Sequence, residues 1–586
     1  MISMFFLRIL KCLYLPKSLN LYTNNPMTQS LDLIKYSLIV SFLILVGCSD
    51  PDIKIKGGVV SAMPYASQVG VDILKKGGNA YDAMVATNFA LAVVYPVAGN
   101  ITGGGFFVYR NADGTSGTLD YREQAPLAAH RDLYLDPEGN VIPNKSTIGG
   151  LAVGVPGTVA GTLEIYRKMG TLPLKDLLQP AIDLAKNGYV VSERQAKSLE
   201  KNRKLFIEIN GKETFYAKEY KAGDVLKNPA LAKALKTISE KGNEGFNSGW
   251  VADALVSRVQ ETGGIISHQD LKSYEPIWRA PLKFKYKDLD VISMGLPSSG
   301  GICLNQMMKI VEQYDLKSLG HNSQKSIQLM VEAERRSYAD RSEYLGDPDF
   351  VEVPTQILLD SLYINKKMES FDWNKASLSA DIKPGDTHYF ESDETTHFSI
   401  LDDQGNAVAV TTTLNGGYGS KVFVEELGVF LNNEMDDFSS KPGVPNMFGL
   451  VGKEANSIAP KKRMLSSMTP TIVEKNGTLY LVLGTPGGST IITSVFQTIL
   501  NVYEHNMSIQ DAVNAPRFHH QWMPDYITVE PNKFDSELIN RLNELGYNVS
   551  EREARIIGKV DAILIDDESI ITLGADQRGD DNAVSY

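Results

Sequence analysis

The sequence predicts an α+β fold in which two β-sheets lie between layers of helix. Three observations lead there. At 586 residues the chain exceeds a typical domain of roughly 100 to 200 residues, which suits one very large unit or two packed intimately together. Helical and strand patterns alternate along its body. The strands come as antiparallel hairpins rather than clean strand–helix–strand crossovers.

Taken in order, residues 64–96 read as two helices split by Gly77 and Gly78, the second apolar on most faces and therefore buried. "GGGFFVYR" and "SGTLDYRE" read as strands paired around the turn "NADGTSG". The glycines of "GNITGGGFF" form no dinucleotide loop, because a strand rather than a helix follows them. Helical periodicity dominates residues 163–263. A strand and turn in "YKDLDVISMGLPSSGG" lead to helices expected over 302–314 and 324–344. Residues 382–394 carry neither period and read as an exposed loop. Beyond them the pattern is strongly β: 396–401, the turn "DDQGN", 407–414, "GVFLNN" and "PTIVEKNGTLYLVLG". The last strand runs into "TPGGS" (485–489) and the helix "TIITSVFQTILNVYEH".

Composition narrows the class. With 43% hydrophobic and 22% charged residues the chain is ordinary globular protein, and a formal charge of -12 with no basic stripe argues against a sequence-independent grip on nucleic acid. The N-terminus has signal-peptide anatomy. From Met27, a second plausible start that would make residues 1–26 an over-extended reading frame, a short polar stretch with Lys35 precedes an apolar run over 36–46 and then "LVGC". That ending resembles the bacterial lipoprotein signal, so residues 1–47 are expected to be removed and Cys48 to carry lipid, with the body outside the cytoplasm and held at a membrane. The competing reading is an uncleaved membrane anchor. Removal of Cys12 and lipidation of Cys48 leave Cys303 as the body's one thiol, which falls among apolar residues of a helix and reads as structural.

The adjacent threonines of "SDETTHFSILDDQGNAVAVTTTLN" carry the chemistry. Thr is common in strands for packing reasons alone. Centring the hairpin on Gln404, however, sets Thr395 opposite Thr413, with Cβ atoms roughly 4.5 to 5.5 Å apart. A threonine hydroxyl needs a base, and His397, His519 and His520 occupy no triad frame. A free α-amino group on the same residue supplies one, with a pKa of about 7.7 to 8.0. Exposing it requires cutting between Glu394 and Thr395, at the end of the aperiodic loop. An acyl-transfer site also needs oxyanion donors, and "TPGGS" offers the backbone N–H groups of Gly487 and Gly488 ahead of a helix N-terminus. A plain strand-to-helix turn is the alternative for that motif. No metal site is expected: His519 and His520 point to opposite sides of a strand, no carboxylate has ligand spacing, and "GDPDF" reads as a turn rather than a calcium loop. No cofactor motif is present.

Several motifs in order, "TTHFSILDDQGNAVAVTTTLN", "GVFLNNEMDDFSSKPGVPN", "KRMLSSMTPTIV", "LGTPGGS" and "NAPRFHHQW", resemble the small subunit of γ-glutamyltranspeptidase, an N-terminal-nucleophile hydrolase. Upstream, "GNITGGGFF", "LDYREQAP", "GVPGTVAG", "LPSSGG" and "RSEYLGDPDF" resemble its large subunit, and the likeness is collinear over about 57–586. The resemblance implies a four-layer αββα sandwich built jointly by two chains of one cleaved precursor, residues 48–394 and 395–586. It implies γ-glutamyl transfer and glutathione hydrolysis, with glutathione, other γ-glutamyl compounds and amino acid or peptide acceptors as partners, and no cofactor. By position, Thr395 matches the nucleophile, Thr413 the residue that orients it, and Gly487 and Gly488 the oxyanion glycines. Arg122, with Ser466 and Ser467, matches the clamp on the substrate α-carboxylate. Asn415, Glu434 and Asp437 match the ammonium site.

Two positions depart from the best-known bacterial pattern. Glu434 stands where several members have Gln, and Phe448 stands where several have a Tyr at the tip of a lid, which affects how water is excluded. Two alternatives stay open: a cephalosporin (glutaryl) acylase of the same fold, against which Arg122 argues, and a solute-binding lipoprotein that has lost the chemistry.

Overall fold

Along the central strands, successive side chains enter different cores. Phe106, Val108, Leu401, Ala407 and Ala409 face one way, while Phe107, Phe398, Ile400, Val408 and Val410 face the other. That period of two is what a strand covered on both faces requires. The computed structural model describes residues 55–382, 395–551 and 556–586. The expected leader, Cys48 and Glu394 lie outside the described residues.

Seven antiparallel strands form the first sheet, in the spatial order Asn582–Ser585, Gly58–Ser61, Thr396–Leu401, Ala407–Thr413, Gly104–Arg110, Ser116–Asp120 and Ile277–Arg279. Six more form the second: Ile571–Ala575, Asp561–Ile565, Thr478–Gly484, Thr471–Lys475, Leu289–Ser293 and Leu282–Tyr286. Val60, Phe106 and Val108 of the first meet Ile292, Ile472, Val482 and Ile563 of the second in one core. On the outer face of the first sheet, the helices Pro64–Lys75 and Ala80–Val94 share a core with Val59, Phe107 and Val408. Beneath the second sheet, Gly300–Val311, Gln324–Tyr344 and Thr490–Tyr503 pack on Val291, Val473 and Leu481. The arrangement is the expected four-layer αββα sandwich. Burying each Val, Ile, Leu or Phe stabilises by about 1.5–3 kcal/mol relative to exposure, so a one-residue slip that exchanged the faces is strongly disfavoured.

Local chemistry sets the boundaries. Ala80–Val94 is buried throughout and starts at a capping box, in which the Asn79 side chain accepts from Tyr81 N and Asp82 N while Asp82 accepts from Asn79 N. The helix expected at 302–314 runs instead over Gly300–Val311, its first N–H satisfied by Ser298 Oγ at 3.0 Å. "GVFLNN" contributes only the two-residue strand Val429–Phe430. Cys303 is buried, and burial pushes its thiol up to about 12, as a structural cysteine requires. No helix among the described residues is long and apolar enough to cross a membrane.

Candidate active site

Register brings the threonines together. The hairpin pairs Leu401 with Ala407 and Thr396 with Thr412, so the next residue outward, Thr395, lies across from Thr413. The two hydroxyl oxygens are 3.4 Å apart, and Thr413 Oγ1 accepts from Asn415 N at 2.7 Å. The turn fixes this pairing: Asp402 Oδ1 accepts from Gln404 N and Asn406 N, and Gly405 takes a φ of +91°. Alternation then aims Thr395, His397 and Ser399 at the second sheet, and Ser399 Oγ donates to Asp561 O there at 3.1 Å. His397 is no free base. It is fully buried, its ring nitrogens lie 2.9 Å from Thr411 Oγ1 and 3.1 Å from Ser399 Oγ, and burial lowers its pKa to about 3.

Thr395 opens onto a small cavity that Thr413, Asn415, Arg122, Glu434, Asp437, Ser466, Ser467 and Gly488 also line. Gly487 sits one residue behind this wall. Its φ is +136°, and its carbonyl accepts from Thr490 N (2.9 Å) and Thr490 Oγ1 (2.8 Å), which starts the helix Thr490–Tyr503. Gly488 adopts φ +53°, and a Cβ there would meet the Phe448 ring at 2.5 Å. Only glycine lets the ring and the main chain approach this closely. Phe448, buried and with its N–H donating to Asn446 Oδ1 at 3.0 Å, packs its ring against Gly488 and lines the same cavity.

Charge gathers in the same cavity. Arg122 is 1% exposed, its backbone N–H donates to Asp120 Oδ1 at 2.9 Å, and its guanidinium pairs with both Glu434 and Asp437, with Glu123 Oε2 3.6 Å away. The cation expected at the carboxylate and the acids expected at the ammonium are therefore partners of one another. Burial opposes the charge on Arg122, but Glu434, Asp437 and Glu123 outweigh it and raise its pKa. Burial also lifts Glu434 to about 7 against the pull of Arg122, and raises Glu123 well above the usual carboxylate range. Asp436, pushed up by burial to about 6, ties Ser146 Oγ (2.6 Å) to Met447 N (2.8 Å) in the loop that carries Phe448. Asn415, at φ +74°, donates from Nδ2 to Asn433 O at 3.1 Å.

Sequence reasoning missed Glu123, Asn433, Asp436 and Arg341. Glu123 stands beside Arg122 inside the quoted "LDYREQAP", and Asn433 and Asp436 stand beside the named acids. Arg341 opens the quoted "RSEYLGDPDF". Its burial on a helix was the missing signal. The histidine pair divides as expected: His519 bonds Thr493 Oγ1 and Gln521 Oε1, while His520 bonds Asp525 and accepts from Trp522 N. "GDPDF" is a turn, with Asp347 Oδ1 accepting from Asp349 N. Among the described residues no group of three or more His, Cys, Asp or Glu is placed to hold a metal.

Comparison with known proteins bears on this geometry. A glutathione hydrolase proenzyme of Escherichia coli (strain K12) is 45% identical over 536 residues, covering 91% of this chain and 92% of that protein. The solved γ-glutamyltranspeptidase of Helicobacter pylori superposes with a TM-score of 0.55 at 42% identity over 58% of this chain and 98% of its own. A cephalosporin acylase of Bacillus halodurans superposes with a TM-score of 0.80 over 98% of this chain and 99% of its own, but at 22% identity it speaks for the fold alone. The family model described as gamma-glutamyltranspeptidase matches residues 66–586, and with the cavity set out above the conclusion is that the chain belongs to the γ-glutamyltranspeptidase family.

Proposed function

We propose that the chain severs itself between Glu394 and Thr395 and then uses Thr395 to cleave γ-glutamyl amides, glutathione among them, passing the γ-glutamyl group to water or to an amino acid or peptide. The observation that carries this reading is the Thr395 hydroxyl beside Thr413 in a cavity that Arg122, Glu434 and Asp437 also line. In maturation the Thr395 hydroxyl attacks the Glu394 carbonyl, the peptide N–C bond breaks as an ester forms, and water hydrolyses the ester. The products are the chains 48–394 and 395–586, which stay together as a heterodimer, and a free amine on Thr395.

That amine is the base for turnover. It takes the hydroxyl proton as Oγ1 attacks the γ-carbonyl, and the proton leaves with the departing amine. Thr413 holds the nucleophile in line. The backbone N–H groups of Gly487 and Gly488 receive the oxyanion. A substrate with an α-carboxylate and an α-ammonium exchanges one internal ion-pair cluster for two external ones: Arg122, Ser466 and Ser467 take the carboxylate, and Asn415, Glu434 and Asp437 take the ammonium. Purified protein incubated with glutathione is expected to release free glutamate, and to hydrolyse a γ-glutamyl anilide far faster than a glutaryl amide. The reverse preference sinks this reading in favour of an acylase, and no turnover of either sinks it in favour of a binding protein.

Two further results are expected. Replacing Gly488 with Ala drives a Cβ into the Phe448 ring and displaces an oxyanion donor, so kcat falls by on the order of 10²- to 10³-fold with maturation slowed in parallel; an unchanged kcat would show that Gly488 N–H is not a donor. Because the Glu434 pKa lies near 7, KM for a γ-glutamyl anilide rises as pH falls through that value and the ammonium seat loses its charge. Glu434→Gln flattens this KM limb and leaves the kcat limb of the Thr395 amine, which steady-state profiles separate.

The body works outside the cytoplasm, anchored to a membrane by lipid on Cys48. Lys35, the apolar run over 36–46 and "LVGC" support this.

A further inference from the structure

Three motifs have no role in the chemistry above: "LPSSGG", the start of "RSEYLGDPDF", and the main chain around "LSSM". They meet at one buried side chain. Arg341, 5% exposed on the helix Gln324–Tyr344, donates from Nε to Ser299 Oγ at 3.0 Å and from Nη2 to Ser467 Oγ at 3.1 Å. Ser299 in turn donates to Ser466 O twice, from Oγ at 2.7 Å and from N at 2.8 Å. One guanidinium therefore braces both serines of the carboxylate seat, directly at Ser467 and through Ser299 at Ser466.

We propose that Arg341 is a positioning residue for the substrate α-carboxylate: it occupies a lone pair of Ser467 Oγ, so that the Ser467 proton is presented to the carboxylate.

Hydrogen-bond accounting supports this. A serine hydroxyl has one proton and two lone pairs. Arg341 supplies the donor to Ser467 Oγ, and among the described residues that hydroxyl has no acceptor of its own, while it faces the cavity. Charge accounting agrees. Among the described residues Arg341 lies within ion-pair distance of no carboxylate, in contrast to Arg122, which has three. Burial lowers the pKa of Arg341, the reverse of Arg122. Asp437 attracts Arg341 only from beyond ion-pair distance, and a buried cation with no carboxylate in direct contact is costly in the fold. The brace also crosses the proposed cut, since Arg341 belongs to residues 48–394 and both serines to 395–586.

The proposal rests on the γ-glutamyl reading, and turnover of a γ-glutamyl anilide by the unaltered enzyme tests that reading separately. The probes are the γ-glutamyl anilide and the 4-aminobutyryl anilide, which lacks the α-carboxylate. Arg341→Met is expected to raise KM for the first by about 10- to 100-fold, the loss of one charge-assisted contact, with kcat within about threefold and maturation complete. It should leave kcat/KM for the second unchanged. Arg341→Lys recovers most of the loss. Ser467→Ala matches Arg341→Met in size, and the double variant is no worse than either. The proposal is overturned if KM is unmoved, if both anilides suffer equally, or if the two single losses multiply in the double variant. Should Arg341→Met fail to mature, Arg341→Lys decides, alone and combined with Ser467→Ala: a small residual KM rise confined to the γ-glutamyl anilide that vanishes in the Ser467→Ala background supports the brace, and no rise, a rise on both anilides, or one that persists in that background refutes it.

Discussion

Thr395→Ala is expected to run as one uncut chain on a denaturing gel and to show no γ-glutamyl turnover above background. Two losses coincide at this residue. The methyl group left behind cannot attack the Glu394 carbonyl, so the amine of residue 395 stays locked in an amide. Even a chain cut by other means would lack the nucleophile whose Oγ1 lies 3.4 Å from Thr413 Oγ1. Removing a nucleophile that acts with its base as a unit costs on the order of 10⁶-fold in kcat. The fold should survive, because Thr395 precedes the strand Thr396–Leu401 and gives that strand none of its core residues. A Thr395→Ala variant that still separates into two chains at this bond would show that another group performs the cut.

Arg122→Met should produce the largest combined effect on stability and binding. Its guanidinium neutralises Glu434 and Asp437, all of them deep in the protein, and Glu123 lies within reach. Taking away one partner of a buried pair leaves uncompensated charge, at a cost of about 3–5 kcal/mol. The sign with pH follows from the raised pKa of Glu434. A carboxyl that binds its proton more tightly in the folded state stabilises the fold below its ordinary value of 4.5, and that stabilisation is lost as pH rises through about 7. Without Arg122 the carboxylates are harder still to ionise. The gap in melting temperature between the Arg122→Met variant and the parent should therefore be small at pH 5 and widest at pH 8. KM for a γ-glutamyl anilide should rise by about 10²- to 10³-fold, the loss of a bidentate charged contact. A gap that shrank at alkaline pH would contradict the ion-pair account.

Much of the site was legible because its central elements are local. The five-residue turn "DDQGN" sets the hairpin register, and register alone carries Thr395 to Thr413. The glycines of "TPGGS" signalled a close approach, and Phe448 is what approaches. What stayed hidden depends on contacts between distant parts of the chain. Nothing near Arg122 in sequence says that Glu434 and Asp437 fold back onto it, and this pairing makes the two ends of the substrate seat one electrostatic unit. Arg341 was hidden for a different reason. Its helix carries so many charged residues that it reads as solvated, whereas partners on other segments bury it. The edge strand Asn582–Ser585 was also missed, since its place beside Gly58–Ser61 is settled by chain ends that meet only in three dimensions.

The most direct test is the intact mass of each chain in purified, active protein, with sequencing from the amino terminus of the smaller one. Two species are predicted, the smaller beginning with an unblocked Thr395 and ending at Tyr586. Full activity from a single unbroken polypeptide, or from a small chain that starts at any other residue, would contradict the mechanism at its root.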